Sequence, residues 1–144
     1  MPEQPPADLA QQVEAALRED LGSGDVTASL VPAAQRVRGS VVSREQATLC
    51  GRAWADETFR QLDSKVQLTW HAADGERVVA QQVIFSIAGP ARPVLTGERT
   101  ALNFLQLLSG TATATATYVQ AVAGTRVRVL DTRKTVPGLR IAQK

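Results

Sequence analysis

A chain of 144 residues has room for one domain, or for one domain and the start of a second. With 44% hydrophobic and 21% charged residues it can build a core and does not read as a disordered sequence. A net charge of +2 without any Lys/Arg block gives no ground for a nucleic-acid binder, and no apolar run approaches the length of a membrane span.

The opening MPEQPPADLA has neither the basic nor the apolar region of a signal peptide, and residues 1–7 read as a flexible lead. Leu9, Val13, Ala16 and Leu17 then fall at helical spacing, which predicts a helix capped by Asp8 and stopped at Leu21-Gly22. Gly22 to Thr27 is a turn-rich connector. Val37–Ser43 and Ala47–Gly51 read as a hairpin or as two separate strands. Ala53–Leu62 is predicted helical, with Trp54, Phe59 and Leu62 turned to the core. Strands are expected at Val66–Trp70, Arg77–Val79 and Val83–Ala88, separated by the Asp74-Gly75 turn and closed by Gly89-Pro90. Helix plus antiparallel strands gives an α+β sandwich for the first ninety or so residues.

Thr96–Leu108 predicts a second long helix, with Thr96 as its cap, Arg99 in its first turn and Ser109-Gly110 as its end. A further helix is expected over Thr111–Ala123, although its threonines lower the propensity. Arg126–Leu130 reads as a strand that runs into Asp131-Thr-Arg-Lys-Thr135 and a Pro137-Gly138 turn. A strand whose C-terminal end carries polar residues is how α/β folds build sites. The sequence stops nine residues after Thr135, too few to complete a parallel sheet or barrel.

The chemistry concentrates in two places. Thr132, Arg133, Lys134 and Thr135 put two cations and two hydroxyls at one strand end. An arginine fork matches a carboxylate or phosphate, and a lysine adds a point charge. Asp131 could hold one of these cations; a charged loop facing water is the plainer alternative. In Gly97-Glu-Arg-Thr100, an arginine in a first helical turn opposes the dipole and suggests a task, unless Arg99 simply pairs with Glu98. Glu19, Asp20 and Asp25 flank the glycine turn without a metal-ligand spacing, so a capping or turn role is expected. Cys50, the one cysteine, excludes an intrachain disulfide and reads as a buried inert thiol, in keeping with a reducing cytosol. His71 reads as a surface residue, and Trp54 and Trp70 as core.

Four blocks occur in order: Glu19-Asp-Leu-Gly-Ser-Gly-Asp-Val-Thr27; Ser43-Arg-Glu-Gln-Ala-Thr-Leu-Cys-Gly51; Gly97-Glu-Arg-Thr-Ala-Leu-Asn-Phe-Leu-Gln106 with Leu108-Ser-Gly110; and Asp131-Thr-Arg-Lys-Thr135 with Pro137-Gly-Leu-Arg140. Together they resemble the quinolinate phosphoribosyltransferase family from about residue 9 onward. The resemblance implies an N-terminal α/β sandwich over 1–110. A linker helix and the first strand and loop of an incomplete α/β barrel follow over 111–144. It implies phosphoribosyl transfer from phosphoribosyl pyrophosphate to quinolinate with decarboxylation, giving nicotinate mononucleotide. Mg²⁺ would accompany the donor, with its ligands outside these residues, and the protein would be a cytoplasmic homodimer with shared sites. By similarity, Thr132 and Arg133 grip the carboxylates of quinolinate, Lys134 is catalytic and faces the donor, and Arg99 reaches the neighbouring subunit's site. The family's later His-Arg pair, barrel lysine, acidic metal-site residues and phosphate-binding glycines have no counterpart in these 144 residues, which implies a fragment inactive alone. A related enzyme with another substrate and a non-catalytic remnant are the competing readings.

Overall fold

The computed structural model of the protein describes residues 5–144, so the first four residues of the expected flexible lead lie outside the described residues. The elements run α1 (Leu9–Leu21), α2 (Val26–Ser29), β1 (Arg36–Val42), β2 (Ala47–Thr48), α3 (Arg52–Leu62), β3 (Gln67–Trp70), β4 (Arg77–Val78), β5 (Val83–Pro90), α4 (Ala91–Ala121) and α5 (Arg140–Gln143). β5 is the centre of a three-stranded antiparallel sheet of order β1-β5-β3, and β2 pairs with β4 in a second, two-stranded sheet. The α+β sandwich expected from the sequence is present, and among the described residues no barrel closes.

Alternation explains the sheet. Along β5, Phe85, Ile87 and Gly89 are buried on one face, and Ile84 is buried beside the second sheet's Val78. β1 meets β5 from Arg36 opposite Pro90 to Val41 opposite Phe85, with a bulge between Val41 and Val42. β3 sets Leu68 opposite Ile87 and Trp70 opposite Phe85 on the other side, where the two rings lie 4.6 Å apart. The hairpin alternative for β1 and β2 fails. Ser43 Oγ donates to Glu45 O in the connecting turn, and the chain crosses from one sheet to the other.

Two apolar clusters meet on α4. Ala55, Phe59, Val66, Phe85, Ile87, Ala101 and Leu105 fill the space between sheet, α3 and α4. Val13, Leu17, Trp54, Phe104, Leu108 and Ala142 close α1, α3 and α5 around the other side of the same helix.

The helix α4 corrects the sequence reading. It is one continuous element of 31 residues, not two helices divided at Ser109-Gly110. It begins after Pro90, and Pro93 is harmless because a first-turn residue has no intrahelical donor to lose. Ser109 does not terminate it because its hydroxyl is bound sideways. Ser109 Oγ accepts from Cys50 N at 3.0 Å and donates to Cys50 O at 3.1 Å, and one turn on Thr113 Oγ1 accepts from Thr48 N at 2.9 Å. The edge of β2 thus ends on helix hydroxyls. A second correction concerns residues 126–130, which are a bend at Arg126 followed by irregular chain, not a strand. A strand is defined by ladder hydrogen bonds, and none of the described strands pairs there; Leu130 is 76% exposed.

The helices α3 and α4 cross at Gly97. Alanine would raise helix propensity by about 1 kcal/mol, but its methyl would sit 2.7 Å from Phe59 Cε1 and 2.8 Å from Leu62 Cδ1. Phe59 is itself buried and has no room to retreat. Overpacking of this kind costs about 1–3 kcal/mol, so Gly97→Ala is expected to lose about 1 kcal/mol net in urea unfolding. An unchanged or raised midpoint would show that the crossing is loose.

Candidate active site

The connector between α1 and β1 is laid along one face of α4. Arg92 Nε donates to Val31 O at 2.8 Å and its Nη2 to Ser29 O at 3.3 Å. One turn later Thr96 Oγ1 donates to Asp25 Oδ2 at 2.9 Å. Next, Arg99 Nε lies 3.0 Å from Asp20 Oδ1 in an ion pair. Positions 92, 96 and 99 share a helix face by their spacing. The chain reaches all three because Gly22 and Gly24 take φ of +48° and +136°, values that favour glycine and let Asp20 and Asp25 both turn toward the helix.

Asp25 also caps α2, its Oδ1 accepting from Ala28 N at 2.9 Å. That backbone bond first, and the Thr96 hydroxyl second, hold the Asp25 carboxyl below the usual carboxylate range. The turn-or-cap expectation therefore holds for Asp25 but misses Asp20, whose partner is Arg99. The placement of Arg99 is corrected too. It lies two turns inside α4, not in a first turn, and it pairs with Asp20, not Glu98. Thr96, expected as a cap, is likewise interior. The ordered block Glu19 to Thr27 was the available signal for these contacts. Periodicity could not supply it, because the partners lie about 70 residues apart.

The cationic loop stands apart. Thr132, Arg133 and Lys134 are exposed, and the only hydrogen bond that shapes them is Lys134 N to Thr132 Oγ1 at 3.1 Å, among the described residues. Asp131 does not hold Arg133 or Lys134. It pairs with Lys144 at 2.8 Å, and that bond keeps its carboxyl below the usual range. Arg99 opens on a shallow groove with Leu95, Glu98, Leu102, Asn103 and Gln106, which contains none of Thr132, Arg133 or Lys134. A second groove of about 540 Å³ runs between α1, α4 and the Pro137–Leu139 turn, and Asp20 and Thr100 lie in its wall. Asp20 Oδ2 and Thr100 Oγ1 are buried without a hydrogen-bond partner among the described residues.

Other candidates fall to structural roles. Cys50 is half-buried, and burial pushes its thiol up, away from the reactive thiolate. His71 is exposed, its Nε2 2.9 Å from Ser86 Oγ. Trp54 is buried and donates to Gln12 Oε1, while Trp70 is only partly buried and donates to Asp56 Oδ1. Among the described residues no three His, Cys, Asp or Glu side chains converge as a metal site. No helix of the described residues is long and apolar enough to cross a membrane.

The fold is an antiparallel α+β sandwich joined by one long helix to a cationic loop. The quinolinate phosphoribosyl transferase family models match in order, the N-terminal domain over residues 25–109 and the C-terminal domain over 111–144. The probable nicotinate-nucleotide pyrophosphorylase [carboxylating] of Bacillus subtilis is 38% identical over 126 residues, covering 88% of this chain and 44% of the relative. The Mycobacterium leprae nicotinate-nucleotide pyrophosphorylase [carboxylating] is 41% identical over 138 residues, covering 92% and 48%. The solved nicotinate-nucleotide pyrophosphorylase of Francisella tularensis superposes with a TM-score of 0.92 at 42% identity, over 97% of this chain and 51% of that one. That of Ehrlichia chaffeensis gives 0.89 at 33%, over 100% and 52%. This chain belongs to the quinolinate phosphoribosyl transferase family, and it spans about half the length of these relatives.

The Asp25 cap generates a pH test. Its folded pKa lies below its unfolded one, so the ionised carboxylate favours the fold. That contribution is whole above the unfolded value of about 3.9 and is lost as pH falls through the folded value. Asn caps helices about as well as Asp, so Asp25→Asn removes mainly the charge. The variant should melt below the parent at neutral pH, and the two melting curves should converge as pH falls through the lowered folded value. A gap that persists in acid would assign the effect to shape instead of charge.

Proposed function

We propose that these residues serve as the N-terminal half of a quinolinate phosphoribosyltransferase acting in NAD biosynthesis. The reaction moves a phosphoribosyl group from phosphoribosyl pyrophosphate to the quinolinate nitrogen, with loss of carbon dioxide, giving nicotinate mononucleotide and pyrophosphate. The observation that carries this reading is the match of both family models, in order, along the chain. The names of the relatives, which specify this pyrophosphorylase or phosphoribosyltransferase activity, support it.

The charges suit the substrates. Quinolinate is a dianion and the donor a polyphosphate, so binding calls for cations that present two or more donors. In this reading Arg133 and Thr132 hold the carboxylates, and Lys134 faces the donor and acts in catalysis. Once the nitrogen carries the sugar it is a cationic pyridinium, which accepts the electron pair left by departing carbon dioxide. The protein's part is to position and to stabilise charge. The described residues do not fit a Mg²⁺ site of their own, so no step is assigned to the metal. The separation of Arg99's groove from the cationic loop supports a site completed by a second copy, with Arg99 reaching the partner's loop in a homodimer. A reducing cytosol suits the single, half-buried thiol.

Pyrophosphate release tests the activity. The 144-residue chain with quinolinate, the donor and Mg²⁺ should release none above background. The protein at the length of its relatives should release it, and Arg133→Ala should lower kcat/KM by about 100-fold, the scale of a lost charge-assisted contact. A full-length protein inert toward quinolinate would overturn the reading.

Subunit mixing tests the shared site. Arg99→Ala and Arg133→Ala homodimers should each be nearly inactive. In a mixed dimer one site holds both arginines and the other neither, and random re-pairing makes about half the dimers mixed, so about a quarter of the activity should return. Mass spectrometry must show the mixed dimers; if they form and nothing returns, Arg99 acts within its own subunit.

A further inference from the structure

Asp20 stands where an aspartate is costly to the fold. It lies in the last turn of α1, where the helix dipole disfavours a negative charge. Its side chain is only 18% exposed. One of its oxygens, Oδ2, is buried without a hydrogen-bond partner among the described residues. Asp25, by contrast, uses both oxygens, on Ala28 N and on Thr96 Oγ1. Asp20 caps nothing. Its one ionic partner is Arg99, at 3.0 Å, and Arg99 is 69% exposed, so the pair adds little to stability after solvent screening. A costly acid whose sole partner is a well-exposed arginine is explained by what it does to that arginine.

The geometry shows what that is. Asp20 meets Arg99 at Nε, on the side of the guanidinium nearest its stem. A guanidinium can take a carboxylate or phosphate from its side, through Nε and one Nη, or from its end, through both Nη groups. Asp20 Oδ1 crowds the Nε side as an ion pair at 3.0 Å, without hydrogen-bond alignment, which leaves the end approach through the two terminal nitrogens the less obstructed one. These nitrogens donate no hydrogen bond and form no ion pair among the described residues. A long side chain with many rotamers is thereby biased toward one orientation before a ligand arrives, which lowers the entropy lost on binding.

We infer that Asp20 is a positioning residue for Arg99, fixing its guanidinium by Nε so that the two Nη groups meet a substrate anion end-on. Asp20 touches no substrate itself. The inference rests on the reading that Arg99 binds the anionic substrate in the full-length enzyme.

A double-mutant cycle on that enzyme tests it. Arg99→Ala comes first, because it tests the underlying reading: kcat/KM should fall by about 100-fold. Asp20→Asn keeps the shape and removes the charge. It should raise the KM for quinolinate or the donor about tenfold, with kcat within about twofold, because the lost orientation affects binding. Asp20→Glu should recover part of that loss. In the Arg99→Ala background, Asp20→Asn should change KM by less than about twofold, since no guanidinium remains to be positioned. The melting temperature of Asp20→Asn should match or exceed the parent's, whereas a merely structural aspartate would lower it. If Arg99→Ala costs activity but Asp20→Asn leaves KM unchanged, or if the two losses multiply independently, positioning by Asp20 is wrong and the role of Arg99 stands. If Asp20→Asn does not fold, the aspartate is structural and the inference falls. If Arg99→Ala is fully active, both fall.

Discussion

Every layer of this structure is attached to one helix. α4 is apolar on two faces, one toward the sheet and α3, the other toward α1 and α5, and three of its polar residues, Arg92, Ser109 and Thr113, make hydrogen bonds to distant backbone. A helix stabilised only by propensity would end at Ser109-Gly110, where glycine and serine weaken it. Here tertiary bonds decide. Ser109 and Thr113 satisfy amides at the end of a two-residue strand that is otherwise short of partners, and those bonds exist only while the helix continues through them. Buried or half-buried amides are costly to leave unpaired, so the strand stabilises the helix as much as the helix completes the strand.

The same logic governs the glycine-rich connector. It has little apolar surface of its own; Val26 and Leu30 are exposed. What holds it is a pair of polar anchors on α4, Arg92 on two backbone carbonyls and Thr96 on Asp25. Such a segment is ordered by hydrogen bonds instead of burial, and it will answer to pH and salt more than the core does. Its placement brings charge next to Arg99, which opens on a groove.

The sequence disclosed the elements better than their junctions. Val13 and Leu17 betrayed α1 by spacing, and the alternation around Phe85 and Ile87 betrayed β5, because periodicity reports which face is buried. Three features stayed hidden for related reasons. The continuity of α4 depends on Cys50 and Thr48, some sixty residues away in sequence. The order β1-β5-β3 depends on which strand edges meet, and no local pattern encodes that. Residues 126–130 carry a strand's alternation, but a strand exists only with a neighbour. For the candidate site, Arg99 and the Thr132–Lys134 loop were legible as chemistry. Asp20 was not, because a lone acid beside a glycine turn looks the same whether it faces water or an arginine.

A continuous helix that runs from Arg99 toward the Thr132–Lys134 loop can also work as a lever. From Arg99 to Ala121 α4 advances about 33 Å at 1.5 Å per residue, so a tilt of about 5° at the Arg99 end carries the far end about 3 Å. That is roughly the length of a hydrogen bond. The α3–α4 crossing at Gly97, where no room is left for even a methyl group against Phe59 and Leu62, is placed to act as the fulcrum. Small changes in side-chain volume at that crossing, far from any charged group, would therefore alter the aim of the chain that leaves the helix toward Thr132.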